Sequence, residues 1–205
     1  MKYKVILTDC DGVLLDWGHS FSAWMKERGY KTTENYHTKY NIGQRYALSK
    51  GEGRKLVKEF NESVNIAHIP SLRDSIEYVR KIHEELGYVF HVITSLSTNP
   101  YAIKAREENL KKLYGETFCE KLVCLETGAD KNEALEPYRN SGCLWVEDKT
   151  ENVILGTEMG LESVLMKHRF NEVSIPSTAR PVNNWRDIYE YINCLLYTSP
   201  SPRDH

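Results

Sequence analysis

The 205-residue chain has no Cys-x-x-Cys pair, no Gly-x-x-x-x-Gly-Lys-Ser/Thr phosphate loop and no apolar run approaching a membrane span. Its five cysteines (Cys10, Cys119, Cys124, Cys143, Cys194) are odd in number and scattered. That excludes a disulfide framework or a cysteine-rich zinc site and suits free thiols in a reducing cytoplasm. There is no surplus of positive charge either: 27 Lys and Arg stand against 29 Asp and Glu, a formal net charge of −2. Without a polycationic surface no stable nucleic-acid complex is expected, and no membrane association. The sequence lacks an internal repeat, and its start reads as a strand, not a signal peptide. The seven histidines show no metal-ligand spacing. His91, inside an apolar run, reads as a satisfied interior residue.

What is there is an ordinary globular composition, 40% hydrophobic and 27% charged, in a chain long enough for one core plus a small insertion. It is organised around Val5-Ile6-Leu7-Thr8-Asp9-Cys10-Asp11-Gly12-Val13. The apolar run reads as a buried strand ending at two carboxylates one residue apart, followed by a glycine. Residues i and i+2 of a strand point to one side, so Asp9 and Asp11 can converge at its carboxyl end. Open α/β sheets bind ligands at that edge. Two like charges so close need a cation or a shared proton. Cys10, between them, points the other way and reads as packing.

Residues 17–69 change character. Phe21, Trp24 and Met25 sit at helical spacing, a tyrosine-rich polar stretch follows, and a charged helix surrounds Arg54 to Phe60. Nothing there alternates like a strand, so the segment reads as a small helical cap inserted after the first strand. From Pro70 the pattern becomes regular. Ser71 and Asp74 have capping-box spacing ahead of the stripe Leu72, Ile76, Val79, Ile82 and Leu86. A strand through Tyr88–Ile93 ends at Thr94-Ser95, and Asn99-Pro100 opens a helix closing at Gly115. A short strand Leu122–Leu125 precedes Asp130-Lys131 and a helix. Strand Cys143–Val146 ends at Glu147-Asp148, followed by a helix from Thr150, a strand Ser163–Met166 and a helix around Trp185 to Ile192. Such alternation predicts an α/β fold, a doubly wound parallel sheet of Rossmann type, with residues 1–16 and 70–194 as the core. Residues 195–205 end in a Ser/Pro run that reads as non-native read-through and is expected to be disordered.

Three strands thus end in Asp9/Asp11, Thr94/Ser95 and Glu147/Asp148, with Lys131 opening a helix between the last two. In a parallel sheet these ends share one edge. Singly, Thr94 reads as a helix cap and Lys131 as a solvated helix-start residue. Together, the sequence resembles the haloacid dehalogenase superfamily of phosphohydrolases, with Asp9-Cys10-Asp11-Gly12-Val13, Thr94, Lys131 and Glu147-Asp148 as its four motifs. Lys121 is the alternative for the third.

The resemblance implies a phosphatase working through an aspartyl-phosphate: Asp9 as nucleophile and Asp11 as general acid–base. Thr94 and Lys131 would hold the phosphoryl oxygens. Mg²⁺ would take Asp9, the Asp11 carbonyl and Asp148, with Glu147 nearby. Asp11-Gly12-Val13-Leu14-Leu15-Asp16-Trp17, Ile93-Thr94-Ser95, Lys167-His168-Arg169-Phe170-Asn171 and Val182-Asn183-Asn184-Trp185 look like the 5'(3')-deoxyribonucleotidase branch. That makes Trp17 a base-stacking candidate, with packing in the cap as the competing reading. Ser95 and Arg45 are further substrate-contact candidates. The expected partner is a small phosphorylated molecule, a nucleotide first, with a homodimer left open. The alternatives are a sugar phosphate, phosphoglycolate or nucleic-acid 3'-phosphate as substrate, or a non-catalytic phosphate-binding module.

Overall fold

The computed structural model describes residues 4–198. The chain runs through β1 (Val5–Thr8), α1 (Trp17–Glu27), α2 (Ile42–Tyr46), α3 (Lys50–Asn61), α4 (Ser75–Glu84), β2 (Val89–Thr94) and α5 (Pro100–Tyr114). It continues through β3 (Cys119–Cys124), α6 (Asn132–Leu135), β4 (Leu144–Glu147), α7 (Thr150–Glu158), β5 (Glu162–Met166), β6 (Arg180–Val182) and α8 (Trp185–Thr198). These strands form one parallel sheet in the order β3-β2-β1-β4-β5-β6. The chain winds outward from β1 to β3, then crosses back to β4. The switch point therefore lies between β1 and β4, where such sheets open a ligand crevice at the strands' carboxyl ends.

β1 is central, with Leu7 in register with His91 on one side and Trp145 on the other. Being covered on both faces, it is apolar from Val5 to Leu7 instead of alternating. Ile6 joins Phe90, Val92, Val146 and Trp185 on one face, and Leu7 joins Ile93, Leu135 and Trp145 on the other. Full burial of each such Ile or Leu contributes about 1.5–3 kcal/mol. Among the described residues no helix is long and apolar enough to cross a membrane.

Between residues 17 and 69 the described structure is helical, α1 to α3 with short 3-10 turns at Tyr36–Thr38 and Val64–His68. Trp17, Trp24, Tyr46 and Phe60 pack there around Phe21. Two strands of backbone connect this layer to the sheet. They are bonded to one another: Asp16 N donates to Pro70 O and Leu72 N to Leu14 O, each at 2.8 Å.

Three expectations change. The Ser71–Asp74 capping box does not form; α4 starts at Ser75 and the Asp74 side chain makes no bond to that helix. The Asp74 carboxylate accepts instead from Trp185 N and Arg186 N, capping α8 from 111 residues away. Strand β6 has no counterpart in the reading, being three residues long with a proline at the sheet edge. Helix α8 continues to Thr198, so the segment set aside as a disordered tail begins inside a helix. Residues 199–205 of that segment lie outside the described residues.

Candidate active site

β1 delivers Asp9 to the carboxyl edge, and the chain then turns at Gly12 with φ +78°. The turn must be glycine twice over, since a Cβ there would stand 2.1 Å from Asp148 Oδ2. β4 ends at the same edge with Glu147 and Asp148, both buried. Asp9, Glu147 and Asp148 offer carboxylate oxygens within 4.8 Å of one another.

Lys131, at the mouth of α6, enters this cluster almost fully buried. Its Nζ lies 2.8 Å from Asp9 Oδ1 and 2.8 Å from Glu147 Oε2. Burial opposes a charge on Lys131, but the two carboxylates outweigh it and hold the ammonium protonated well above its usual range. Burial pushes the Asp9 carboxyl up to about 8, Glu147 adding to the rise and Lys131 opposing it. Asp148 is likewise raised well above the carboxylate range, by burial first and then by Glu147 and Asp9. Glu147 is different. Burial works against its charge, yet Lys131 and donors from Lys149 N and Asn152 hold it below the ordinary range.

The hydrogen bonds of Glu147 explain that. Oε1 accepts from Asp148 N and Lys149 N, and Oε2 from Lys131 and Asn152 Nδ2. Its oxygens are spent on protein donors, whereas Asp148 faces inward with His168 Nε2 no nearer than 4.0 Å. Asp9, Asp11, Glu147 and Asp148 set four carboxyls against two paired cations, Lys131 and Arg106. This excess of acidic groups at a buried edge favours protonated Asp9 and Asp148 until a further cation joins them. An all-oxygen donor set with that excess fits a hard divalent cation such as Mg²⁺, held by Asp9 and Asp148 with Glu147 behind them.

Above the carboxylates lies a cavity of about 930 Å³ between the sheet edge and residues 17–69. Thr94, 1% exposed, and Ser95 line it from β2, and Trp17, Tyr36, Tyr40, Arg45, Lys50 and Arg54 from the helical layer. Phe170, from the loop after β5, stacks on His168 at 5.0 Å and meets Tyr40 edge-on at 5.3 Å.

Comparison with known proteins places this architecture. No family model matches the chain. It is 26% identical over 194 residues to an uncharacterized 32.4 kDa protein in the Gp30-rIII intergenic region of Enterobacteria phage T4, covering 89% of this chain and 67% of the phage protein. A haloacid dehalogenase-like family hydrolase from Streptococcus pneumoniae superposes with a TM-score of 0.64 at 13% identity, covering 93% of this chain and 99% of that one. The chain has the haloacid dehalogenase-like fold. A predicted phosphoglycolate phosphatase from Haemophilus somnus aligns with a TM-score of 0.64 at 15% identity over 94% and 99% of the two chains. A D,D-heptose 1,7-bisphosphate phosphatase from B. bronchiseptica, complexed with magnesium and phosphate, gives 0.56 at 10% over 94% and 99%.

Within this haloacid dehalogenase-like fold, the structure brings Asp9, Asp11, Thr94, Lys131, Glu147 and Asp148 to one edge. Lys121 is not there; it lies over the Tyr138 ring. The Ser95 hydroxyl donates to Ala129 O at 2.8 Å, so its proton is committed to the protein. Trp17 lines the cavity while stacked on Phe21 at 4.6 Å, with Nε1 donating to Asn61 Oδ1. The packing reading is thus observed, and its place on the cavity wall is what the base-stacking reading requires. Arg45 also lines the cavity; its Nε donates to Lys39 O, and no carboxylate among the described residues lies within 4 Å of its guanidinium. Cys10 is buried and its thiol is pushed far up, so it stays protonated. His91 is bonded through both nitrogens, to Tyr138 and Glu120.

Three residues at this edge carried no assigned role, although His168 and Asn171 stand in a segment that supports the resemblance. Asn171 Nδ2 donates to Asp148 O and Met166 O, fixing the loop below the acidic cluster. Burial keeps His168 neutral, and its Nε2 bonds Gly12 O at 2.7 Å. Arg106, from α5, is fully buried against Asp11.

Proposed function

We propose that this protein is a Mg²⁺-dependent phosphomonoester hydrolase that works through a phosphorylated Asp9 and acts on nucleoside monophosphates. The observation that carries the reading is Lys131, 2.8 Å from both Asp9 and Glu147, with Asp11 two residues after Asp9 and Asp148 in the same carboxylate cluster.

Each group has a step suited to its position. Asp9 attacks phosphorus; the bond from phosphorus to the leaving oxygen breaks, and that oxygen takes its proton from Asp11. Asp11, now a carboxylate, accepts a proton from water as the water oxygen attacks phosphorus. The bond to Asp9 then breaks, releasing phosphate and restoring the Asp9 carboxylate. Lys131 and the Thr94 hydroxyl donate to the transferring phosphoryl oxygens, where charge accumulates. When bound, Mg²⁺ supplies charge neutralisation between the incoming phosphate and the carboxylates. Glu147 holds Lys131 and the chain at 148–149 in place.

The cavity supports the substrate class. Trp17, Tyr36, Tyr40 and Phe170 offer ring faces and edges to a base. Arg45, half-buried and with no carboxylate partner among the described residues, offers a donor fork to an anion. A second reading has its own support. Arg45, Lys50 and Arg54 line the cavity from residues 17–69 and no carboxylate from that segment does, which favours a small bisphosphorylated ester.

The test is phosphate release, with Mg²⁺, from a panel of deoxynucleoside 5'- and 3'-monophosphates, ribonucleotides, sugar mono- and bisphosphates and phosphoglycolate. Preference for nucleotides, abolished by EDTA and restored by Mg²⁺, is expected. Preference for a bisphosphate moves the substrate class to the second reading. Release from no ester overturns the enzyme.

A further inference from the structure

The side chain of Arg106 has no solvent exposure, yet it carries a full charge into the core of α5's packing. It meets Asp11 as a fork: Nη1 donates to Oδ1 at 2.6 Å and Nη2 to Oδ2 at 3.2 Å. Nη1 also reaches Cys10 Sγ. A two-point contact between two planar groups fixes the carboxyl plane, which a single hydrogen bond or a lysine does not. Asp11 keeps 21% of its side-chain exposure and lines the cavity, so the carboxyl held by the fork borders the space a substrate would enter.

The helix that carries the fork is itself tied down. One helical turn further along, Asn109 Nδ2 donates to Ile69 O, at the start of the returning linker. Tyr114, at the end of α5, donates to Leu14 O on the outgoing linker, which also accepts from Ser75 Oγ. One buried face of α5 thus holds Asp11 and both linkers.

We propose that Arg106 is a positioning residue for the acid–base step: its guanidinium fork aims the Asp11 carboxyl at the leaving oxygen. This rests on the phosphohydrolase reading above. If the ion pair only held the fold together, its loss would affect all substrates alike. A positioning role has a different signature, because a good leaving group such as p-nitrophenolate departs with little help from an acid, whereas an alkoxide needs its proton.

The experiment measures first-turnover alcohol release, which reports formation of the phosphoryl-enzyme alone. The esters are the alkyl phosphate best cleaved in the panel above, a nucleoside 5'-monophosphate first, and p-nitrophenyl phosphate. Wild type, Arg106→Lys, Asp11→Asn and the double variant are compared at matched folded fraction. Arg106→Lys keeps the charge and loses the fork. Misplacing a reacting group by about 1 Å costs on the order of 10²-fold. That loss is expected on the alkyl ester, with at most a several-fold loss on the aryl ester. In the Asp11→Asn background the Arg106→Lys effect should vanish, since the two act as one unit. Equal loss on both esters, or an undiminished loss without Asp11, overturns the proposal. Arg106→Gln serves if Arg106→Lys does not fold, and failure of both to fold marks the pair as structural and also overturns it. A wild type inert towards both esters overturns the phosphohydrolase reading and this inference with it, whereas an active wild type confines a failure to Arg106.

Discussion

Gly12 and Asp148, from the turns after β1 and β4, touch so closely that a methyl group on the glycine would stand 2.1 Å from Asp148 Oδ2. The left-handed φ of +78° adds strain for any other residue. Gly12→Ala must therefore displace the Asp148 carboxyl from its place beside Asp9 and Glu147. The expected result is a folded protein with activity lower by about 10²-fold or more and weaker Mg²⁺ dependence, read from phosphate release against Mg²⁺ concentration. Unchanged turnover would mean that the Asp148 position is immaterial.

Lys131 neutralises two buried carboxylates at once. Lys131→Met leaves them facing each other without a cation between them, which costs about 3–5 kcal/mol in comparable buried pairs. Urea unfolding should show that loss. A variant as stable as wild type would contradict the ion-pair geometry.

Asp74 sits before α4 in sequence yet accepts from the first amides of α8. Asp74→Ala should lower stability by about 1 kcal/mol, the usual cost of a lost N-cap. Ser71→Ala should change it by less than about 0.5 kcal/mol. The opposite ranking would restore the capping box read from the sequence. Urea midpoints of the two variants decide.

Burial pushes the thiols of Cys119 and Cys124 from their ordinary 9.0 up to about 11. Below 9 both folded and unfolded states hold these protons, and the associated stability is fully present. Between 9 and 11 the unfolded chain releases them first, so stability falls as pH rises. Melting temperatures across that window should decline, and less steeply in Cys119→Ala/Cys124→Ala. Identical slopes would show that the thiols are not shielded.

How much of this could be read in the residues varies from element to element. Asp9, Asp11, Thr94, Lys131, Glu147 and Asp148 were legible because each stands where an apolar strand stops or a helix starts, and a parallel sheet gathers such ends on one edge. Arg106 was not, since Lys104-Ala105-Arg106-Glu107-Glu108 reads as a solvated helix face. A signal existed: Arg106 falls in phase with Ala102, Asn109 and Leu110, the buried side of α5. The role of Asp74 was hidden for another reason. Its spacing from Ser71 satisfies a local rule, but an acceptor for α8 only becomes visible when chain 111 residues distant arrives. His168 and Asn171 act through backbone carbonyls of Gly12, Asp148 and Met166, contacts that carry no sequence pattern.

The most direct measurement is acid quench during turnover with a nucleoside monophosphate and Mg²⁺, followed by mass spectrometry of the peptide containing Asp9. A single phosphoryl group on Asp9 in wild type, absent from folded Asp9→Asn together with all phosphate release, is the predicted result. Sustained phosphate release by Asp9→Asn, or a phosphoryl group on any other residue, would contradict Asp9 as the nucleophile.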